Sequence, residues 1–295
     1  MSIFLNIIGA GRVGRTLGRL LHQTGNCFVQ DVLSAGFAGA EAAAAFIGSG
    51  RAVRQLDEMR PAGLWLLTPP DGAIASLAVA LAAAGKLREG DCVFHCSGTH
   101  SSSLLKPLVV NGAHVASLHP LKTFAEPARA IETFAGTWCT AEGDAIALAV
   151  LRPLFEQIGA RVALIDPAGK TYYHAASVLV CNGLTALMET GLRAYERAGL
   201  DRATAQAMME PLVRETLDNV FALGTVGALT GPVARGDADV VARHMDALRT
   251  LDPRIEETYR SLNAIALDLA RVQGGAAPAA FDAVAAALHG AIKKQ

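Results

Sequence analysis

The sequence has no CxxC pair and an odd number of cysteines, Cys27, Cys92, Cys96, Cys139 and Cys181, scattered through apolar surroundings. That pattern excludes a disulfide framework and a dithiol redox motif, and the five are expected to be reduced residues of the core. Charge of one sign is equally lacking: 26 Lys and Arg against 27 Asp and Glu give a formal net charge of −1. No field gathers nucleic acid or an anionic membrane. The N-terminus has neither the basic start nor the small-residue cleavage site of a signal peptide, and no uninterrupted apolar run approaches the roughly 20 residues that span a bilayer. The chain is therefore expected to be cytoplasmic. The nucleophile elbow G-x-S-x-G is missing, and none of Tyr172, Tyr173, Tyr195 and Tyr259 has lysine four residues later. His95, Cys96, His100, His114 and His119 cluster loosely, but their spacing matches no familiar ligand set, so no metal site is expected.

What the chain does have is length and apolarity. At 295 residues it exceeds the usual size of one hydrophobic core, and two domains are expected. Hydrophobic residues make up 52% and charged residues 18%, which argues against disorder and leaves apolar surface for contact between subunits. Up to about residue 165, short apolar or β-branched runs alternate with helical spacing, the mark of parallel strands joined by crossover helices. Strands are expected over 3–8, 28–33, 64–67, 92–95 and 114–118, with weaker ones over 137–140 and 161–165. After Asp166-Pro167 the β pattern ends, and helices are expected over 169–197, 202–223, 238–250, 253–272 and 279–292. Glycine and proline make continuation costly at 224–237 and 274–278. The reading is an α/β domain over 1–165 with a doubly wound, mainly parallel sheet, followed by an all-α domain over 166–295.

The first strand runs into Gly9-Ala10-Gly11-Arg12-Val13-Gly14, and Val13, Leu17, Leu20 and Leu21 then recur at helical spacing. In a strand-turn-helix unit the first glycine permits a tight turn, the second lets backbone approach a pyrophosphate, and the third lets helix and strand pack closely. The helix opening near Arg12 offers unpaired N–H groups and the positive end of its dipole to phosphate. Six residues alone are a weak signal. The strand before and the amphipathic helix after raise it to a dinucleotide seat.

A carboxylate about 20 residues past the motif would read the adenosine ribose. That position falls on Val32, Leu33 and Ser34, with Asp31 one step earlier. Without a carboxylate, a 2′-phosphate is tolerated, Ser34 can donate to it, and Arg12 is a nearby cation. NADP is the expected cofactor, with NAD possible if Asp31 binds the ribose hydroxyls after all. Thr68-Pro69-Pro70-Asp71 and Ser97-Gly98-Thr99 follow later strands, at the carboxyl edge where a cofactor lies. Thr68, Pro69, Ser97 and Gly98 join the cofactor-binding set, the prolines reading equally well as a rigid turn.

Hydride transfer to or from a carbonyl or imine needs a proton donor or acceptor and a group that polarises the reacting atom. Lys170, His174, Ser177, Cys181 and Thr185 recur at helical spacing as one polar stripe, with Asn182 beside it. His174 exchanges a proton near neutral pH and is the best acid or base, unless it is a histidine satisfied in a helical core. Lys170, in a first helical turn, also reads as a solvated side chain. His119 and Lys122, in His119-Pro120-Leu121-Lys122-Thr123, follow a strand and are candidates to face the substrate, with Lys122 holding a carboxylate; a plain turn is the alternative. Arg235 reads as an anion clamp or as a loop tie to Asp237.

"GAGRVG", "HCSGTHSSSLL", "SLHPLKTF", "YYHAASVLVCNGLTAL" and "LTGPVARGD", in that order, resemble a bacterial family that joins a Rossmann-like domain to a helical domain of unknown function. That family is described only by an expected NAD(P)-dependent oxidoreductase activity. The layout is more distantly similar to pyrroline-5-carboxylate reductase, prephenate dehydrogenase, ketopantoate reductase and the β-hydroxyacid dehydrogenases. The resemblance implies a helical domain of the 6-phosphogluconate-dehydrogenase-like type, a cleft between domains for a small carbonyl, imine or hydroxy-acid substrate, and a homodimer through the helical domain. It also makes Lys170 and Asn182 loose counterparts of a lysine and an asparagine that face substrate in the β-hydroxyacid dehydrogenases. Family members often carry serine-arginine after the second strand, where this chain has Ser34-Ala35. A non-catalytic NAD(P)-binding sensor is the alternative, because fold supports both.

Overall fold

The computed structural model describes residues 3–290, which divide into two compact units between Val180 and Cys181. The first is built on an eight-stranded sheet: β1 (Ile3–Ile8), β2 (Cys27–Leu33), β3 (Arg51–Val53), β4 (Leu64–Leu67), β5 (Cys92–His95), β6 (His114–Pro120), β7 (Trp138–Gly143) and β8 (Arg161–Leu164). Their spatial order is β3-β2-β1-β4-β5-β6-β7-β8, and all pairs are parallel except β6 with β7. The order reverses beside β1, the switch point at which doubly wound sheets bind ligands. The connecting helices are α1 (Arg12–Gln23), α2 (Phe37–Ile47), α3 (Ile74–Ala83), α4 (Lys106–Val109), α5 (Pro127–Glu132) and α6 (Ala145–Gln157), and α7 (Lys170–Val178) also belongs to this unit.

The central strands read as unbroken apolar runs because both faces are covered. Leu64 and Leu66 pack with Leu17, Leu21 and Phe94 on one face, while Trp65 and Leu67 pack with Ile74, Leu81 and Val93 on the other. Asn6 is the polar intruder in β1. Its amide donates to Arg60 O at 2.7 Å and its oxygen accepts from Asp31 N at 3.1 Å, where the β1/β2 register shifts. Strand β3 has no counterpart in the expected list, since three residues carry no periodicity. Strand β6 extends two residues beyond the expected end and includes His119.

Helices α8 (Leu184–Arg197), α9 (Arg202–Ala228), α10 (Ala238–Leu251), α11 (Pro253–Gln273) and α12 (Pro278–Leu288) form the second unit. Its core gathers Val233, Val241, Met245, Phe281 and Val284, with a smaller cluster of Leu192, Ala205 and Met209. The interruption expected from residue 224 is a kink: Gly224 adopts φ 73°, and the helix then resumes to Ala228. The expected last helix overruns α12, and its residues past 290 lie outside the described residues. Between α7 and α8 a π turn over Leu179–Gly183 keeps the helix continuous while adding a residue to the turn. The polar stripe is therefore broken, with Lys170 buried and Cys181 and Thr185 exposed. The helical run from Pro167 to Arg197 contains an 18-residue window of mean hydropathy 1.3 and is long and apolar enough, by length and composition, to cross a membrane, against the expectation that no stretch would be. Cys181 is exposed, whereas Cys27, Cys92 and Cys139 are buried, their thiols pushed up to about 12 by burial.

Candidate functional site

The turn after β1 assigns a separate task to each glycine. Gly9 sits at φ +92°, and a β-carbon there would lie 2.4 Å from both Pro69 N and Thr68 C. Only glycine fits such a turn. A β-carbon on Gly14 would meet Thr68 Oγ1 at 2.5 Å and Gly9 O at 2.8 Å, so this glycine lets α1 close onto the ends of β1 and β4. Gly11 differs: a β-carbon there meets nothing within 4 Å, and its φ is ordinary. Neither turn geometry nor packing requires glycine at 11. What glycine leaves is open room against backbone, in front of the helix.

Helix α1 has no side-chain cap at Gly11 and no acidic residue in its first turn. The amides of Arg12, Val13 and Gly14 therefore have no carbonyl within the helix to bond and point at that room. Arg15 turns back to donate to Ala10 O at 3.2 Å, and Thr68 Oγ1 donates to Gly9 O at 2.7 Å, which fixes the turn from both sides. Uncapped amides, a helix dipole and a cleared approach together fit a pyrophosphate. The residues present accommodate a dinucleotide.

Asp31 is not available to a ribose. It is fully buried, bonded by Arg60 Nη2 at 2.7 Å, Arg51 Nε at 3.1 Å and Arg60 N at 2.7 Å. Burial opposes its ionisation, but the bonds from Arg60 and Arg51 outweigh it and hold the carboxyl below its usual range. Ser34, half-buried, is the first residue past β2 and remains a donor there.

At the carboxyl ends of β5 and β6, His119 of β6 and His174 of α7 meet over Gly98. A β-carbon on Gly98 would lie 2.5 Å from His174 Cδ2 and 3.0 Å from His119 Nε2, and the two rings are 6.2 Å apart. Their separation of 55 residues in sequence hid this meeting. His119 Nδ1 lies 3.0 Å from the Tyr173 hydroxyl, with the rings edge to face. Burial, then the Lys170 charge, pushes His119 down to about 4, and burial raises Tyr173, so at neutral pH the imidazole is uncharged and the phenol protonated. Tyr173 had drawn no attention as a site residue. Its place one residue before His174 was the only signal.

A cavity of about 330 Å³ joins the two features: Arg12 and Val13 of α1 line it together with Cys96, His119, Lys122 and Phe124. Lys122 reaches it while its ammonium donates to Thr133 O at 2.7 Å. A larger cavity, about 490 Å³, lies among the helices of the second unit, and no Lys, Arg, Asp or Glu lines it.

Lys170 is neither solvated nor free. It is 1% exposed, donates to Ser97 O at 2.9 Å and Ser117 Oγ at 2.6 Å, and stands 3.9 Å from Glu142 Oε1. Glu142 in turn accepts from Ser102 N and Ser102 Oγ. Burial lowers the Lys170 pKa against the pull of Glu142. This network anchors α7, and with it Tyr173 and His174, to the sheet. The Ser97 hydroxyl is likewise engaged, donating to Asp71 at 2.8 Å and accepting from His100 N, so only the backbone at 97–98 faces the site. His95 is sealed beneath: Nδ1 accepts from Ser97 N and Nε2 bonds Ser101 O, and burial pushes it down to about 4. Asn182 is exposed on the π turn. Arg235 is tied to Asp237 at 3.1 Å.

Comparison with known proteins agrees with the fold of both halves. Residues 2–120 match the model of the Rossmann-like domain, and residues 137–265 match that of a domain of unknown function, DUF2520. Protein TM1727 from Thermotoga maritima superposes with a TM-score of 0.72 at 26% identity, covering 91% of this chain and 99% of that one. An imine reductase from Pseudomonas sp. gives 0.65 at 17% identity over 96% and 99% of the two chains. The Plasmodium falciparum pyrroline carboxylate reductase, solved with NADP bound, gives 0.54 at 11% identity over 88% and 97%. No curated protein matches the chain.

Proposed function

We propose that the chain is an NADP-dependent oxidoreductase acting on a small carbonyl, imine or hydroxy acid. The observation that carries this reading is that one and the same cavity is bounded by the glycine-turn helix on one side and by His119 on the other. A nicotinamide coenzyme, when bound, supplies or accepts the hydride. Everything else falls to the chain's own side chains.

The amides opening α1 hold the diphosphate, Gly11 gives it room, and Thr68 and Pro69 fix the turn that presents those amides. The backbone at Ser97 and Gly98 allows close approach below the histidines. With the Tyr173 phenol donating to Nδ1, His119 carries its proton on Nε2, the atom beside Gly98, and polarises the substrate oxygen or nitrogen as a neutral donor. His174 delivers or removes the accompanying proton, and Lys122 and Arg12 favour a substrate carboxylate at the rim. NADP is preferred because the one acidic residue near the end of β2 is sealed inside an ion-pair network. A homodimer through the helical half belongs to the same proposal, supported by Phe221, Leu223 and Ile265, which are 86%, 61% and 62% exposed. A monomer mass by light scattering would remove that part.

The test is oxidation of NADPH across a panel of 2-keto acids, aldehydes and cyclic imines. Wild type turns over at least one class, and His174→Ala and His119→Ala each lose at least about tenfold in kcat with NADPH binding intact. Tight NADPH binding with no turnover on any class makes the chain a sensor instead.

A further inference from the structure

The loop after the second strand carries no cation of its own, Ser34 being followed by Ala35 and Gly36. The structure supplies a guanidinium from elsewhere. Strands β2 and β3 are parallel, with Leu33 opposite Val53, so Ser34 and Arg54 are the next positions on neighbouring strands at the same carboxyl edge. Neighbouring strands lie about 4.8 Å apart. Arg54 is exposed, and its Cζ sits 3.9 Å from the centroid of the Phe37 ring. Phe37 is the first residue of α2, directly after the loop 34–36. A cation–π contact therefore parks the Arg54 guanidinium beside the loop that follows β2.

Residues 51–60 hold three arginines, and their partners differ. Arg51 and Arg60 both bind the buried Asp31 carboxylate. Arg54 has no carboxylate within ion-pair distance of its guanidinium among the described residues; Glu58 accepts only from its backbone N, at 3.1 Å. So the acid that would repel a phosphate is neutralised by two arginines, while a third stays uncommitted at the strand edge. Arg12, by contrast, lines the cavity beside His119.

We propose that Arg54, with the Ser34 hydroxyl, is the specificity determinant for a phosphate monoester on the adenosine ribose. The inference rests on the coenzyme reading above. Its stacked, planar fork is held ready to give two parallel bonds to phosphate, which a lysine cannot reproduce.

The experiment is calorimetric titration of the full chain with NADPH, NADH, 2′,5′-ADP and 5′-AMP. Wild type binds each 2′-phosphorylated ligand at least about tenfold tighter than its counterpart without that group. Arg54→Ala loses that factor, falling to within about twofold, while NADH and 5′-AMP affinities stay put; Arg54→Lys recovers only part of it. Because Arg54 is exposed, thermal unfolding of the variants matches wild type and excludes a folding artefact. A preference that survives in Arg54→Ala, or a wild type that favours the ligands without a 2′-phosphate, overturns the assignment of Arg54 while leaving a coenzyme site. A wild type that binds none of the four overturns the coenzyme reading, and this inference falls with it.

Discussion

Gly9 and Gly11 stand two residues apart in one turn, and alanine at each should do opposite things. In Gly9→Ala the new methyl group meets backbone at 2.4 Å and the residue is forced to φ +92°. Left-handed strain costs about 1–2 kcal/mol and overpacking about 1–3 more, so the loss of stability should be about 2–5 kcal/mol. In Gly11→Ala the methyl meets no atom within 4 Å, at an ordinary φ. Losing glycine at a helix N-cap costs up to about 1 kcal/mol, and restricting the unfolded chain returns about 0.4–1, so stability should hold within about 1 kcal/mol. The methyl instead occupies the space in front of the α1 amides, and NADPH affinity should fall at least about tenfold, or about 1.4 kcal/mol. Urea unfolding reads the first effect and calorimetric titration the second. A Gly11→Ala protein that binds NADPH as wild type does would show that the open room is not where the diphosphate lies. One that unfolds as readily as Gly9→Ala would show that the glycines serve the turn alone.

Three further outcomes follow from the buried charges. Asp31→Asn leaves Arg51 and Arg60 without their carboxylate; since both reach water, the loss should be about 1–3 kcal/mol in urea. Because the folded Asp31 pKa is lowered, its contribution is complete above the unfolded value near 3.9 and disappears as pH falls through the lower folded one, so the variant's deficit should vanish in strong acid. Lys170→Met strands Glu142 as an uncompensated buried charge and should cost about 3–5 kcal/mol, with the Lys170→Met/Glu142→Gln double variant recovering part of it; a double variant as unstable as the sum would contradict the pairing. His95, fully buried and pushed down to about 4, binds its proton in the unfolded chain first. Stability should therefore decline as pH drops from about 6.5 toward 4, by about 3 kcal/mol from this residue, and His95→Asn, whose amide oxygen can replace Nδ1 as acceptor for Ser97 N, should flatten that decline. An unaltered pH profile in the variant would assign the slope to other groups.

The strand-turn-helix at the N-terminus was legible because its signals are local: an apolar strand, three glycines, then leucines at helical spacing. The same holds for the change from sheet to helices after Asp166. What could not be read was anything decided by a distant partner. Asp31 is removed from ribose recognition by Arg51 and Arg60, 20 and 29 residues away, and nothing in its own neighbourhood announces that. Lys170 looked like a first-turn lysine because Glu142 and Ser117 meet it only through the β6/β7 pairing. His119 and His174 each had a bland alternative when taken singly, and only the fold sets them over Gly98. The stripe on the long helix failed for a local reason, a five-residue π turn that no spacing rule anticipates.

The central claim is that the uncapped amides at the start of α1 seat the diphosphate of a nicotinamide coenzyme. Titration of the wild-type chain with NADPH in a calorimeter tests it most directly: the account predicts saturable heat with one coenzyme bound per chain. No heat at millimolar NADPH or NADH would contradict it.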